Sequence, residues 1–221
     1  MAEPTRKSPR PRRRAALAAA VVLVGIVAGV GAVYVTGGFA GNGGGGQCAA
    51  AAALSGPLDE AATGTVAGFK PLATPVDLSA LAFRDGDGQP VTLADFEGRT
   101  VLLNLWATWC PPCRAEMPSL DALEAELGGE TFKVVAVSVD TKDDGRAQQF
   151  YAETGLTNLD FFIEPTMKMF AALKKDGLAL GMPTTMIIDH EGCAAGVLSG
   201  PAEWDAPEAV GLVRAAIDAR R

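Results

Sequence analysis

Two thiols one helical turn apart, placed where a strand-like stretch gives way to a helix-like one, constrain this chain more than any other feature. Residues 101–106 form an apolar run, residues 114–127 have helical character, and Trp109-Cys110-Pro111-Pro112-Cys113 lies between them. Cysteines at that spacing can close into a disulfide and reopen. A helix N-terminus presents unpaired N–H groups and the positive end of the macrodipole, which stabilise a thiolate at the first cysteine better than at the second. Cys110 is therefore the candidate nucleophile and Cys113 the resolving thiol. The thiolate would attack a partner's disulfide, and the second thiol would clear the mixed disulfide.

Two other readings of the motif are weaker. A closed zinc site needs four ligands, and the chain offers beyond this pair only Cys48, Cys193 and His190, with no second C-x-x-C. A permanent structural disulfide is the other, yet so short a loop restrains the unfolded chain very little.

The charge distribution divides the chain. Residues 1–14 carry six basic side chains against one acid, whereas everything after them carries 13 basic and 25 acidic residues, a net charge of −12. Residues 15–35 hold no charge; as a helix rising about 1.5 Å per residue they would cross the roughly 30 Å hydrocarbon layer. The expectation is a cytoplasmic basic tail (1–14), a transmembrane anchor (15–35), and a domain in the periplasm or its equivalent. A cleaved signal peptide is the alternative, since Gly38 and Ala40 satisfy a small-residue cleavage rule. Residues 36–47, of which seven are glycine, read as a flexible tether reaching roughly 20 Å. Cys48 lacks the apolar residue that precedes a lipidated cysteine. Residues 48–221 suit a single core.

Within that domain, strand and helix alternate. An alanine-rich helix is expected at 49–62, then a hairpin of 80–83 with 91–93 around Asp85-Gly86-Asp87-Gly88. Strands follow at 101–106 and 133–140, helices at 114–127, 143–154 and 167–175, and a short strand-like insert at 159–164. A second hairpin joins 185–188 to 194–199, and a helix at 206–219 closes the chain, with Asp205 and Glu208 placed as a capping box. A parallel pair with a helical crossover, then a hairpin and a helix, makes an α/β domain around a mixed sheet.

The segment Asn104-Leu105-Trp106-Ala107-Thr108-Trp109-Cys110-Pro111-Pro112-Cys113-Arg114-Ala115-Glu116-Met117-Pro118 resembles the active-site strand, turn and kinked helix of the membrane-anchored bacterial thioredoxins, the TlpA, ResA and CcmG group. Leu180-Gly181-Met182-Pro183-Thr184-Thr185 is similar to that group's cis-proline loop. The resemblance covers roughly residues 65–218 and implies a thioredoxin-like fold with an N-terminal hairpin extension and a central insert, preceded by one transmembrane helix. Gly192-Cys193, Gly200-Pro201-Ala202-Glu203-Trp204 and the position of Cys48 resemble the TlpA-type branch.

The resemblance also implies roles. Pro183 would be cis and lie against the reactive sulfur, and Trp109, Pro111, Pro112 and Met182 would form the substrate-docking surface, whereas Trp106 suits the core. Ordinary thioredoxins carry a buried acid on the strand six residues before the nucleophile, a position held here by Asn104. Glu116, one turn after Cys113 on the same helical face, is assigned that proton role by analogy with ResA-like proteins; a solvated glutamate is the alternative. Trp204 reads as packing and His190 as a solvated turn residue. With Cys110 joined to Cys113, only Cys48–Cys193 remains of the three connectivities open to four cysteines, and the resemblance implies the same structural bond. An intermolecular bond through Cys48 is the alternative.

By the same resemblance the chain would be a protein-disulfide reductase, without cofactor or metal, fed by an upstream membrane electron donor in the inner membrane. Its protein substrates would be the copper-site cysteines of cytochrome oxidase biogenesis, on a Sco-type chaperone or the copper-A subunit; the alternative is apocytochrome c. A copper-binding module is a further reading, disfavoured by the two-residue spacing and the position of His190. The basic tail is a topology signal, and no nucleic-acid partner is expected.

Overall fold

The computed structural model describes residues 48–142 and 145–219. The basic tail, the apolar stretch 15–35 and the glycine-rich segment lie outside them. Among the described residues no helix is long and apolar enough to cross a membrane.

Eight strands form one mixed sheet. Its centre is β4 (Thr100–Trp106), buried at every residue, with β5 (Phe132–Ser138) parallel on one side and β7 (Thr184–Ile188) antiparallel on the other. A strand buried on both faces must be apolar nearly throughout, and the 101–106 run meets that demand. Helix α3 (Pro111–Leu127) provides the helical crossover expected between the parallel strands β4 and β5. Next to β7 comes β8 (Cys193–Ser199), antiparallel. This is the thioredoxin-like arrangement the sequence led us to expect.

Both edges are extended. Beyond β5 the two-residue strand β6 (Phe162–Ile163) pairs parallel with β5 and antiparallel with β2 (Ala82–Asp85), which pairs in turn with β3 (Pro90–Thr92). The expected insert strand is thus shorter than 159–164, and it is the seam that joins the N-terminal hairpin to the sheet. Asp85 Oδ1 ties the hairpin turn by accepting from the N–H groups of Asp87 and Gln89 at 3.0 and 2.8 Å. At the opposite edge lies a strand missing from the sequence reading, β1 (Lys70–Asp77), antiparallel to β8 with a break in register between Pro71 and Val76. Its two prolines cannot donate to a ladder, so they hid the strand, and an edge is the place that tolerates them.

Alternation along β4 divides the core. Leu102 and Trp106 point to the face covered by α3, α4 (Arg146–Thr154) and α6 (Pro207–Asp218), whereas Val101, Leu103 and Leu105 face the other layer, closed by α5 (Lys168–Lys175) and the β2–β3 hairpin. The expected single helix at 49–62 is two, α1 (Ala49–Ala53) and α2 (Ser55–Ala61), separated at Leu54. Pro57 has no N–H to return to the Ala53 carbonyl, which interrupts the ladder there. The expected capping box does not form: α6 is capped by Ala206 without a side-chain bond, and Pro207 takes the first helical position. Proline's preset φ and missing N–H suit that position, moving the helix start past Asp205.

Candidate functional site

The C-terminal end of β4 carries the cysteines. From Trp106 the chain turns through Ala107, Thr108 and Trp109, and this turn is pinned by the buried carboxylate of Asp140: Oδ2 accepts from the Thr108 N–H at 3.0 Å and Oδ1 from the Thr108 hydroxyl at 2.8 Å. Cys110 is the N-cap of α3, with Pro111 and Pro112 opening the helix. Prolines belong there because the first helical N–H groups have no intrahelical partner. Cys110 and Cys113 are joined as a disulfide with their Cα atoms 5.3 Å apart. The Cys113 N–H points at Cys110 Sγ, 3.3 Å away. That donor and the helix N-terminus converge on the first sulfur, the arrangement that favours a thiolate there once the bond is reduced.

Strand register brings the proline loop to the same end. Leu105 pairs with Thr184, so Pro183 stands one step beyond the end of that pairing, and the Met182–Pro183 peptide is cis. Pro183 is buried and Met182 half-buried, while Pro111 and Pro112 are exposed. Trp106 is enclosed in the core; Trp109 and Leu180 are the exposed large apolar side chains of the described residues, at 57% and 73%. Leu180 was quoted with its loop in the sequence reading but not assigned to docking.

Glu116 is buried, at 3% exposure. Its Oε1 accepts from Asn104 Nδ2 at 2.8 Å, and its Oε2 from the Ala202 N–H at 3.1 Å and Trp204 Nε1 at 3.3 Å. Burial pushes its pKa up to about 7, with the three hydrogen bonds pulling the other way. The solvated alternative is therefore incorrect. Asn104 also donates to Thr185 Oγ1 at 2.9 Å, so the amide at the strand position anchors the carboxylate. Asn104 and Thr185 in this bonding role escaped the sequence reading, and Trp204 proves to be a donor as well as packing. Parity could have found Asn104, which shares its β4 face with Leu102 and Trp106, the face α3 covers. Nothing local could have found the Ala202 N–H or the Trp204 indole.

Cys48 and Cys193 form the second disulfide, Cα atoms 5.7 Å apart, joining the start of α1 to the start of β8. This bond lies at the other end of the sheet. Val101 pairs with Ile188 and Gly98 N–H donates to the His190 carbonyl, so His190 and Cys193 are separated from Cys110 by the length of β4, roughly 20 Å for seven residues. Among the described residues no cluster of three or more His, Cys, Asp or Glu side chains could hold a metal ion.

Residues 72–212 match the family described as Redoxin, more than half of the chain. The chain belongs to the redoxin family. Within it the chain is similar to the thiol-disulfide oxidoreductase ResA of Oceanobacillus iheyensis, 39% identical over 120 residues that cover 54% of this chain and 59% of that protein. The chain thus spans about three fifths of the length of the curated relatives it matches. Among solved structures it is similar to a Chlorobium tepidum protein assigned as thiol:disulfide interchange protein DsbE, at 29% identity and a TM-score of 0.55, covering 64% of this chain and 95% of that one. A DsbF homologue from Corynebacterium diphtheriae aligns with 26% identity and a TM-score of 0.55, covering 67% and 90%. These relatives bear out the resemblance to the ResA and CcmG group.

Proposed function

We propose that this redoxin is a protein thiol-disulfide oxidoreductase working as a reductant, with Cys110 as nucleophile, Cys113 as resolving thiol and Glu116 as proton carrier. One observation carries the reading: the sulfur at the N-cap of α3 receives the Cys113 N–H, and a carboxyl with a pKa near neutrality is buried one turn beyond the pair. In the reduced protein the Cys110 thiolate attacks a partner's disulfide, forming one S–S bond and breaking another, and the departing partner sulfur takes a proton. Cys113 then loses its proton, with Glu116 the acceptor at hand, and attacks Cys110 Sγ. The partner leaves with two thiols, having gained two electrons and two protons, and the chain is left with the Cys110–Cys113 disulfide. A dithiol donor upstream must reduce that bond again.

Trp109, Pro111, Pro112, Met182 and the cis Pro183 are the proposed docking surface; the exposure of Trp109 beside Cys110 supports it. The domain is held at the inner membrane by residues 15–35 and faces the periplasm, a reading supported by the charge bias of the first 14 residues. Substrates are the copper-site cysteines of cytochrome oxidase biogenesis, a Sco-type chaperone or the copper-A subunit, supported by the TlpA-like placement of Cys48, Cys193 and the 200–204 segment. Reduction of apocytochrome c is the second reading, and the relatives named ResA favour it, since the resemblance ties that branch to apocytochrome c. A redox titration of the full chain tests the direction of electron flow: a potential near thioredoxin's, about −270 mV, is expected, and one near −120 mV would make the chain an oxidant.

A further inference from the structure

Beside Trp109, between the start of α3 and α4, lies a hollow of about 290 Å³ whose walls include Trp109, Arg114, Arg146, Gln149, Phe150 and Glu153. Arg114 follows Cys113 directly. Its N–H donates to the Cys110 carbonyl at 3.1 Å, so its side chain leaves the helix one turn from the proposed nucleophile. The guanidinium carbon stands 5.2 Å over the Phe150 ring. A guanidinium held over a ring face is attracted by the ring's quadrupole without engaging its N–H donors in hydrogen bonds. Among the described residues no carboxylate pairs with Arg114. Glu153, the acid in the hollow, already accepts from Gln149 Nε2 at 2.7 Å, and Arg146 is engaged within the chain.

We propose that this hollow selects the partner: an aspartate or glutamate close in sequence to the partner's reactive cysteine pairs with Arg114 while its neighbour packs on Trp109. The inference rests on the exchange reaction proposed above and adds the class of substrate sequence it prefers. Charge complementarity carries it. The chain beyond residue 14 has 25 acidic residues against 13 basic, so a partner's acid meets net repulsion from the chain and is welcomed at Arg114, a cation held over the Phe150 ring beside the active-site turn. A contact of that sort sets register and specificity more than affinity.

The test is turnover of short peptide disulfides by the reduced full chain, with glutamate, glutamine or lysine placed in turn at positions flanking the peptide cysteine. For an exposed ion pair, kcat/KM for the glutamate peptide should exceed that for the glutamine peptide roughly two- to fivefold at the best position. Raising salt toward 1 M should shrink this ratio, because screening then acts over about 3 Å. Arg114→Gln should bring the ratio to about one and Arg114→Glu should turn it in favour of lysine, while Arg114→Lys keeps part of the preference. The ratio is the measure because Arg114 lies close enough to Cys110 to change its reactivity toward every peptide alike. Equal turnover of all three peptides, or a ratio that Arg114→Gln leaves intact, overturns the selection while leaving the exchange reaction standing. Turnover of none of them overturns the exchange reaction, and the selection with it.

Discussion

Asn104 and Glu116 meet across the seam between sheet and helix, the amide donating to Oε1 at 2.8 Å with both side chains buried. An amide thus occupies the strand position where the resemblance would place an acid, and the carboxyl proposed as proton carrier stands on the helix, one turn after Cys113, held by that amide.

Titration of Glu116 makes stability depend on pH. Its ordinary value is 4.5, and burial raises it to about 7 in the folded chain. Between those values the folded protein holds a proton that the unfolded chain has released, so stability falls as pH rises through that window, by about 1.4 kcal/mol per unit. Glu116→Gln cannot ionise and should lack the slope. Denaturant unfolding of the oxidised protein at pH 5 and pH 8 should show the parent losing roughly 3 kcal/mol more than the variant. Equal losses would mean that the carboxyl titrates normally.

The same substitution tests the proton role. A carboxylate beside a dithiol disfavours a second negative charge and raises thiol pKa values. Glu116→Gln should lower them and change the pH profile of reductase activity, with Cys110 still able to react. Superimposable profiles for variant and parent would hand the proton route to water.

Removing the donors should push the Glu116 pKa still higher. The Asn104 and Trp204 hydrogen bonds lower its pKa against the effect of burial. Asn104→Ala and Trp204→Phe should each raise it further and cost about 1–3 kcal/mol of stability. The readout is the midpoint of the stability–pH curve; a downward move in either variant contradicts the assignment.

Only Cys110 gains the helix-terminus donors, so after reduction iodoacetamide near neutral pH should label it ahead of Cys113, which is fully buried. Cys113→Ser should accumulate mixed disulfides, whose mass-spectrometric identification decides between copper-site proteins and apocytochrome c. Equal labelling rates would reject the assignment of nucleophile and resolving thiol.

The Cys48–Cys193 bond spans 145 residues of sequence, a separation for which chain entropy predicts up to roughly 5 kcal/mol. Replacing both by serine should lower the unfolding midpoint and leave peptide reduction by Cys110 in place, because the bond lies at the far end of β4. Loss of exchange activity in a variant that remains folded would tie the second disulfide to the first.

What was legible in the sequence was local. The 101–106 run, the two prolines after Cys110 and the helical stretch behind them lie within 27 residues of chain, where hydrophobic pattern, proline geometry and capping chemistry decide structure with little outside help. That is why the central strand, the active-site helix and the hairpin at 82–92 could be read directly, and why β1, whose prolines break every strand signal, could not. Tertiary structure alone decided the environment of Glu116. Its partners lie 12, 86 and 88 residues away at Asn104, Ala202 and Trp204, and only the docking of the segment between β8 and α6 against α3 buries it and raises its pKa to about 7. Desolvation depends on everything that surrounds a group, and no segment of sequence carries that by itself.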